Sequence, residues 1–89
     1  MRAIITVVGS DTVGIISGIS KILAENNVNI MDISQSILQD LFAMVMLVDI
    51  SKSSKPFAEL ASVITDAGNQ MNVKVHVMHE DIFTSMHRI

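Results

Sequence analysis

Ala3, Ile5 and Val7 alternate with Arg2, Ile4, Thr6 and Val8, and this β-branched run stops at Gly9. A period of two over residues 2–8 predicts a first strand with one purely apolar face and one mixed face. Gly9-Ser10-Asp11-Thr12-Val13-Gly14 follows as a glycine-punctuated turn, with Asp11 or Thr12 placed to cap a helix. From Val13 to about Asn26 the spacing becomes helical. Ile15, Ile16, Ile19, Ile22 and Leu23 fall on one stripe, with Ser17, Ser20, Lys21 and Glu25 opposite. Asn26-Asn27 ends that helix.

Residues 28–38 read as a second strand, with Met31, Ile33 and Ile37 on one face and Asp32, Ser34 and Ser36 on the other. Gln39-Asp40 turns the chain into a third strand, Leu41 to Ile50, which is apolar on both faces. Ser51-Lys52-Ser53-Ser54-Lys55-Pro56 is a polar linker, and Pro56 suits the first turn of a helix, where a missing N–H costs nothing. Phe57, Leu60, Ala61, Ile64, Ala67 and Met71 trace a second amphipathic helix that ends near Gly68–Asn72. Val73 to His79 predicts a fourth strand, with Val73, Val75 and Val77 inward and Lys74, His76 and Met78 outward. In the tail, Ile82, Phe83, Met86 and Ile89 recur at helical spacing and predict a short docked helix.

The order β-α-β-β-α-β predicts an α+β fold of the ferredoxin-like plait type. Its four-stranded antiparallel sheet would carry both helices on one face. The expectation is one domain over residues 1–89, with a core over 1–79 and a helical tail over 80–89. In strand three, Phe42, Met44, Met46 and Val48 alternate with Leu41, Ala43, Val45 and Leu47, so both of its faces call for burial. One layer of helices covers one face only. A second copy packed against the open face or an edge, hence a homodimer, is the expectation.

Composition narrows the function. Apolar residues make up 49% of the 89 residues and charged residues 17%, below the ~25% charged content of ordinary soluble domains. That balance argues against disorder and again points to apolar surface hidden by another chain. With no Cys, disulfide scaffolds, thiol catalysis and thiolate metal sites are excluded. A net charge of −3 without a Lys/Arg cluster argues against nucleic acid, and no apolar run reaches the length of a membrane span. The expected setting is the cytoplasm.

Plaits carry unrelated functions, so the site must decide. An RNA-recognition plait stacks bases on aromatics of its central strands; here the first strand has none and the third has Phe42 alone. A copper carrier needs Cys-x-x-Cys, and an acylphosphatase-like plait needs an Arg at the first turn, where residues 9–18 contain none. The turn itself remains. It leads from a strand into a helix N-terminus, whose free N–H groups favour a carboxylate. Asp11 could meet an ammonium group, and the pair has the polarity for a zwitterionic amino acid. The competing reading is that Asp11 caps the helix while Gly9 and Gly14 serve turn geometry and packing.

Gly9-x-Asp11-x-x-Gly14-Ile15, then Ile19 and Leu23, then Asn29-Ile30-x-Asp32-x-x-Gln35, resembles the ACT domain family. The likeness is closest to the branch in glycine-cleavage regulators and formyl-tetrahydrofolate deformylases, and to small bacterial proteins made of one ACT domain. It spans strand one through strand four. The resemblance implies amino acid binding at a subunit interface and regulation of an associated enzyme. By position, Gly9, Asp11, Gly14 and Ile15 would line one wall. Asn29, Ile30 and Asp32 of the neighbouring subunit would line the other, with Gln35 at the edge. The plainer readings are a turn residue for Asn29 and solvated strand positions for Asp32 and Gln35. No catalytic or DNA-binding segment accompanies the domain in these residues, so either its output is expected to pass through another protein or the family's sensing role is lost.

His76 and His79 are placed on opposite faces of the last strand, and His87 lies in the tail; surface histidines are expected rather than a metal or catalytic group. The methionines read as core or interface filler. Gly14-x-x-x-Gly18 suits either a helix–helix dimer seam or close packing of the helix on the sheet. The leading expectation is therefore a non-catalytic, cofactor-free regulatory module that binds an amino acid as a homodimer. The alternative is a ligand-independent adaptor that docks a partner through the sheet face or the tail.

Overall fold

The structure, a computed structural model, describes residues 1–10 and 14–86. Along the chain run β1 (Arg2–Gly9), α1 (Ile15–Glu25), β2 (Asn29–Leu38), β3 (Leu41–Asp49), α2 (Phe57–Gln70), β4 (Lys74–His79) and α3 (Glu80–Met86). The strands form one antiparallel sheet in the order β2-β3-β1-β4. This is the βαββαβ ferredoxin-like plait, extended by a C-terminal helix.

The alternation in β1 and β3 sets the core. Ala3, Ile5 and Val7 pair with Val48, Met46 and Met44, and all are buried beneath Ile15, Ile19 and Leu23 of α1 and Leu60 and Ile64 of α2. The shortest dimension is 19 Å, the depth of one helix layer on one sheet. The other face of β3 stays partly bare: Leu41 and Val45 are exposed. Both faces of β3 are apolar as read from the sequence, and the helices cover one.

Several local expectations are corrected. The N-cap of α1 is Gly14, at φ 78 with no side-chain bond at the cap, so the helix starts later than an Asp11 or Thr12 cap would place it. Asp11 and Thr12 themselves lie outside the described residues. Pro56 is the N-cap of α2 rather than a first-turn residue; its carbonyl accepts the Leu60 N–H at 2.9 Å. The second helix ends within the expected Gly68–Asn72 stretch, at Gln70, and Gly68 lies inside it where the helix approaches β4: a Cβ would lie 2.2 Å from Val75 Cγ2. Gly18 faces the Met71 sulfur, so its small size serves contact with the end of α2 in the same chain. Asn26, 5% exposed, ends α1 and also ties it to the linker. Its amide donates to the Ile22 carbonyl at 2.8 Å, and its Oδ1 accepts from Lys55 Nζ at 2.6 Å.

Strand β2 departs most from simple alternation. Its register on β3 shifts between Ile30 and Asp32, leaving Met31 as the extra residue of a bulge. Ile30, Ile33, Gln35 and Ile37 then occupy the helix-side register of Val48, Met46, Met44 and Phe42. Asn29, Asp32, Ser34 and Ser36 share the open face. Met31 therefore does not alternate with Ile33 and Ile37 as expected.

The tail does form a helix. It packs on β1 and β4, and Arg2 is ion-paired with Glu80. Ile4 lies in an open-face register yet is only 7% exposed, as expected where α3 covers that end of the sheet. Ile82 and Met86 remain exposed, and Ile89 lies outside the described residues. Among the described residues no helix is long and apolar enough to cross a membrane.

Candidate functional site

The sequence-derived site residues occupy two places. Gly9 pairs with Phe42 at one end of β3, and Asn29 pairs with Asp49 at the other. At ~3.4 Å per strand residue, roughly 24 Å of β3 separates them. One chain does not bring the two walls together.

At the first end, α1 begins directly after Gly14, leaving its first-turn N–H groups without intrahelical acceptors. Ile15 is 1% exposed, so at this wall it can offer backbone but not side chain. Gly9 has a packing reason of its own: a Cβ there would lie 2.5 Å from Val73 Cγ1. A cavity of about 460 Å³ opens beside it, lined by Val8, Gly9, Ser10, Leu41, Val73 and Lys74 among others. Asp11, the carboxylate expected here, lies outside the described residues.

At the second end, Asn29 lines a smaller, polar cavity of about 190 Å³ with Asn27, Asp49, Ser51 and Lys52. Asn27, at φ 59, takes the left-handed turn from α1 into β2, a conformation Asn tolerates better than most residues. Ser51 donates both its backbone N–H, at 2.9 Å, and its hydroxyl, at 2.7 Å, to Asp49 Oδ1. These two bonds hold the Asp49 carboxyl below its ordinary pKa; desolvation opposes them, and the N-terminal ammonium and Lys52 assist. Among the described residues Asp49 forms no ion pair within 4.0 Å, with Lys52 or any other group.

The bulge at Met31 brings Asn29 and Asp32 onto one face. Asp32 is exposed and its Oδ1 accepts the Ile33 N–H at 2.9 Å. Ile30 packs against the core, and Gln35 is exposed on the helix side of the strand. Asp49, Ser51 and Lys52 escaped the sequence reading because they look like a strand end and a solvated linker. Their only sequence signal is the Asp-x-Ser spacing, which suits a side chain bonded two residues ahead.

His76 lies on the open face. His79 lies on the helix side, edge-on to Phe57 at 6.1 Å and accepting the Asp81 N–H at 3.2 Å. The two histidines take opposite faces, as strand alternation requires. His87 lies outside the described residues, and among those described no three His, Asp or Glu side chains cluster as a metal site.

Residues 2–78 match the model of the ACT domain. The chain belongs to the ACT domain family. Its ACT domain is 56% identical over 88 residues to UPF0237 protein MJ1558 of Methanocaldococcus jannaschii, covering 99% of this chain and 98% of that one. It is also similar to a solved ACT domain protein from Streptococcus pneumoniae, with 41% identity, a TM-score of 0.82 and 93% of each chain covered. A putative glycine cleavage system transcriptional repressor shares the fold, with a TM-score of 0.71 at 22% identity, over 85% of this chain and 43% of the other.

Proposed function

We propose that this ACT domain is a non-catalytic regulatory module of the cytoplasm, that it works as a homodimer, and that it binds an amino acid between its two copies. One observation carries this reading: the two candidate walls lie at opposite ends of a chain whose edge strand, β2, is long, half apolar and, among the described residues, paired on one side only. Met31, Ile33, Ile37 and Leu38 are all exposed there, and Asp32 is the strand's one charged residue. Such an edge is a template for another strand.

Antiparallel pairing of two β2 edges about a twofold axis sets the Asn29 end of one copy against the Leu38 end of the other. Leu38 pairs with Leu41, beside Phe42 and Gly9, and α1 packs over β2. The twofold therefore sets the Asn29 end of one copy beside the Gly9 end of its partner. A ligand touching both copies binds the dimer better than the monomer and, by linkage, tightens the dimer. That shift is the signal passed to a separate enzyme or regulator.

Light scattering at tens of micromolar tests this reading. A dimer that Ile37→Lys splits, and that an amino acid strengthens, supports it. A monomer under these conditions leaves the site without its second wall. The exposed Ile82 and Met86 on α3 favour a second reading, an adaptor that docks a partner without any ligand. A dimer blind to every amino acid, whose partner enzyme dissociates on removal of residues 80–89, would decide for it.

A further inference from the structure

Asp49 and Lys52 line one small cavity without pairing with each other, flanked by the carboxamides of Asn27 and Asn29. We infer that this cavity, between the α1–β2 and β3–α2 turns, is the head-group clamp for the ligand's zwitterion, with Asp49 taking the ammonium and Lys52 the carboxylate. The inference rests on the amino acid reading above and specifies where the charged groups of that ligand go.

Ligand pockets carry few polar groups, and these set orientation. Here they are of both signs, and an α-amino acid carries the complementary pair on neighbouring atoms. Asp49 uses Oδ1 for both Ser51 bonds, so its orientation is set before a ligand arrives and Oδ2 remains to accept from an ammonium. Lys52 is exposed on the following turn, on a stem long enough to follow a carboxylate. Asn27 and Asn29 each offer a donor and an acceptor, matching either head group. A volume of about 190 Å³ suits a head group rather than a whole large ligand.

Thermal unfolding and calorimetry with the twenty common amino acids, and with the N-acetyl and carboxamide derivatives of those that stabilise, test the clamp. Asp49→Asn retains an oxygen for the Ser51 bonds, and Lys52→Gln alters an exposed side chain, so both variants are expected to fold; circular dichroism checks this. Wild type should bind the free amino acid and reject both derivatives. Each variant should bind about ten- to a hundredfold more weakly, the range for a charged hydrogen bond. Asp49→Asn should also stop discriminating against the N-acetyl form, and Lys52→Gln against the amide. Unchanged amino acid binding in both variants would overturn the clamp while leaving the amino acid reading intact. A wild type that responds to no amino acid would overturn both.

Discussion

Asn29 and Asp32 are three residues apart on β2 yet share the open face of the sheet, because the bulge at Met31 shifts the register on β3 by one. Strict alternation would separate them. The bulge gathers the polar start of β2 onto one face, next to Asp49 and the 190 Å³ cavity. It leaves Ile30 and Ile33 together on the helix side.

The exposed edge carries the first expected outcome. Ile37 is 64% exposed in the single chain, so Ile37→Lys should change monomer stability by no more than about 0.5 kcal/mol. At the seam of a β2–β2 dimer it would set two Lys near the twofold partner strand. Sedimentation should then show monomers at concentrations where wild type is dimeric.

Gly9→Ala should destabilise the fold by about 1–3 kcal/mol, the usual cost of overpacking. The added Cβ would meet Val73 Cγ1 at 2.5 Å. Val73→Ala removes that obstacle, so the double variant should melt higher than the sum of the single losses implies. Strict additivity in the cycle would show that the two residues do not compete for this space.

Much of this framework was legible in the sequence. The alternation of Ala3, Ile5 and Val7, and the two apolar faces of β3, are direct consequences of a period of two, and the structure follows both. The bulge was not legible, because an extra residue such as Met31 looks like any other strand residue until its partner strand is placed. The Asn29 cavity was half legible: Asn29 stood out by family likeness, whereas Asp49 and Lys52 matter only through contacts made across the sheet end. The helix end was legible in Gly68–Asn72, since α2 ends at Gln70, but the close approach of Gly68 to Val75 is a tertiary cause.

Asn26→Ala should cost about 1–3 kcal/mol in chemical denaturation, since it removes bonds from a buried carboxamide, one of them to a charged Lys. Lys55→Met should cost less, because the Asn26 bond to Ile22 survives. A larger loss for Lys55→Met would show that Lys55 acts through something other than its bond to Asn26.

Acid behaviour of the Asp49 turn has a definite sign. A carboxyl whose pKa is lowered by folding adds stability above its unfolded pKa and loses that contribution as pH falls through the folded value. Ser51→Ala removes the hydroxyl bond, the largest cause of the lowering. The NMR titration midpoint of Asp49 should therefore move upward in this variant, toward the ordinary carboxyl value. A midpoint that stayed put would assign the lowering to another group.

Binding of an amino acid between two copies is read most directly by thermal unfolding of the dimer against an amino acid panel. A ligand at ~100 times its Kd adds about 2.7 kcal/mol, on the order of 10 °C or more in so small a domain. One amino acid should give such a shift, and the shift should vanish in Asn29→Ala and in the monomeric Ile37→Lys variant. A flat panel on a folded dimer, or an equal shift in the monomeric variant, would contradict it.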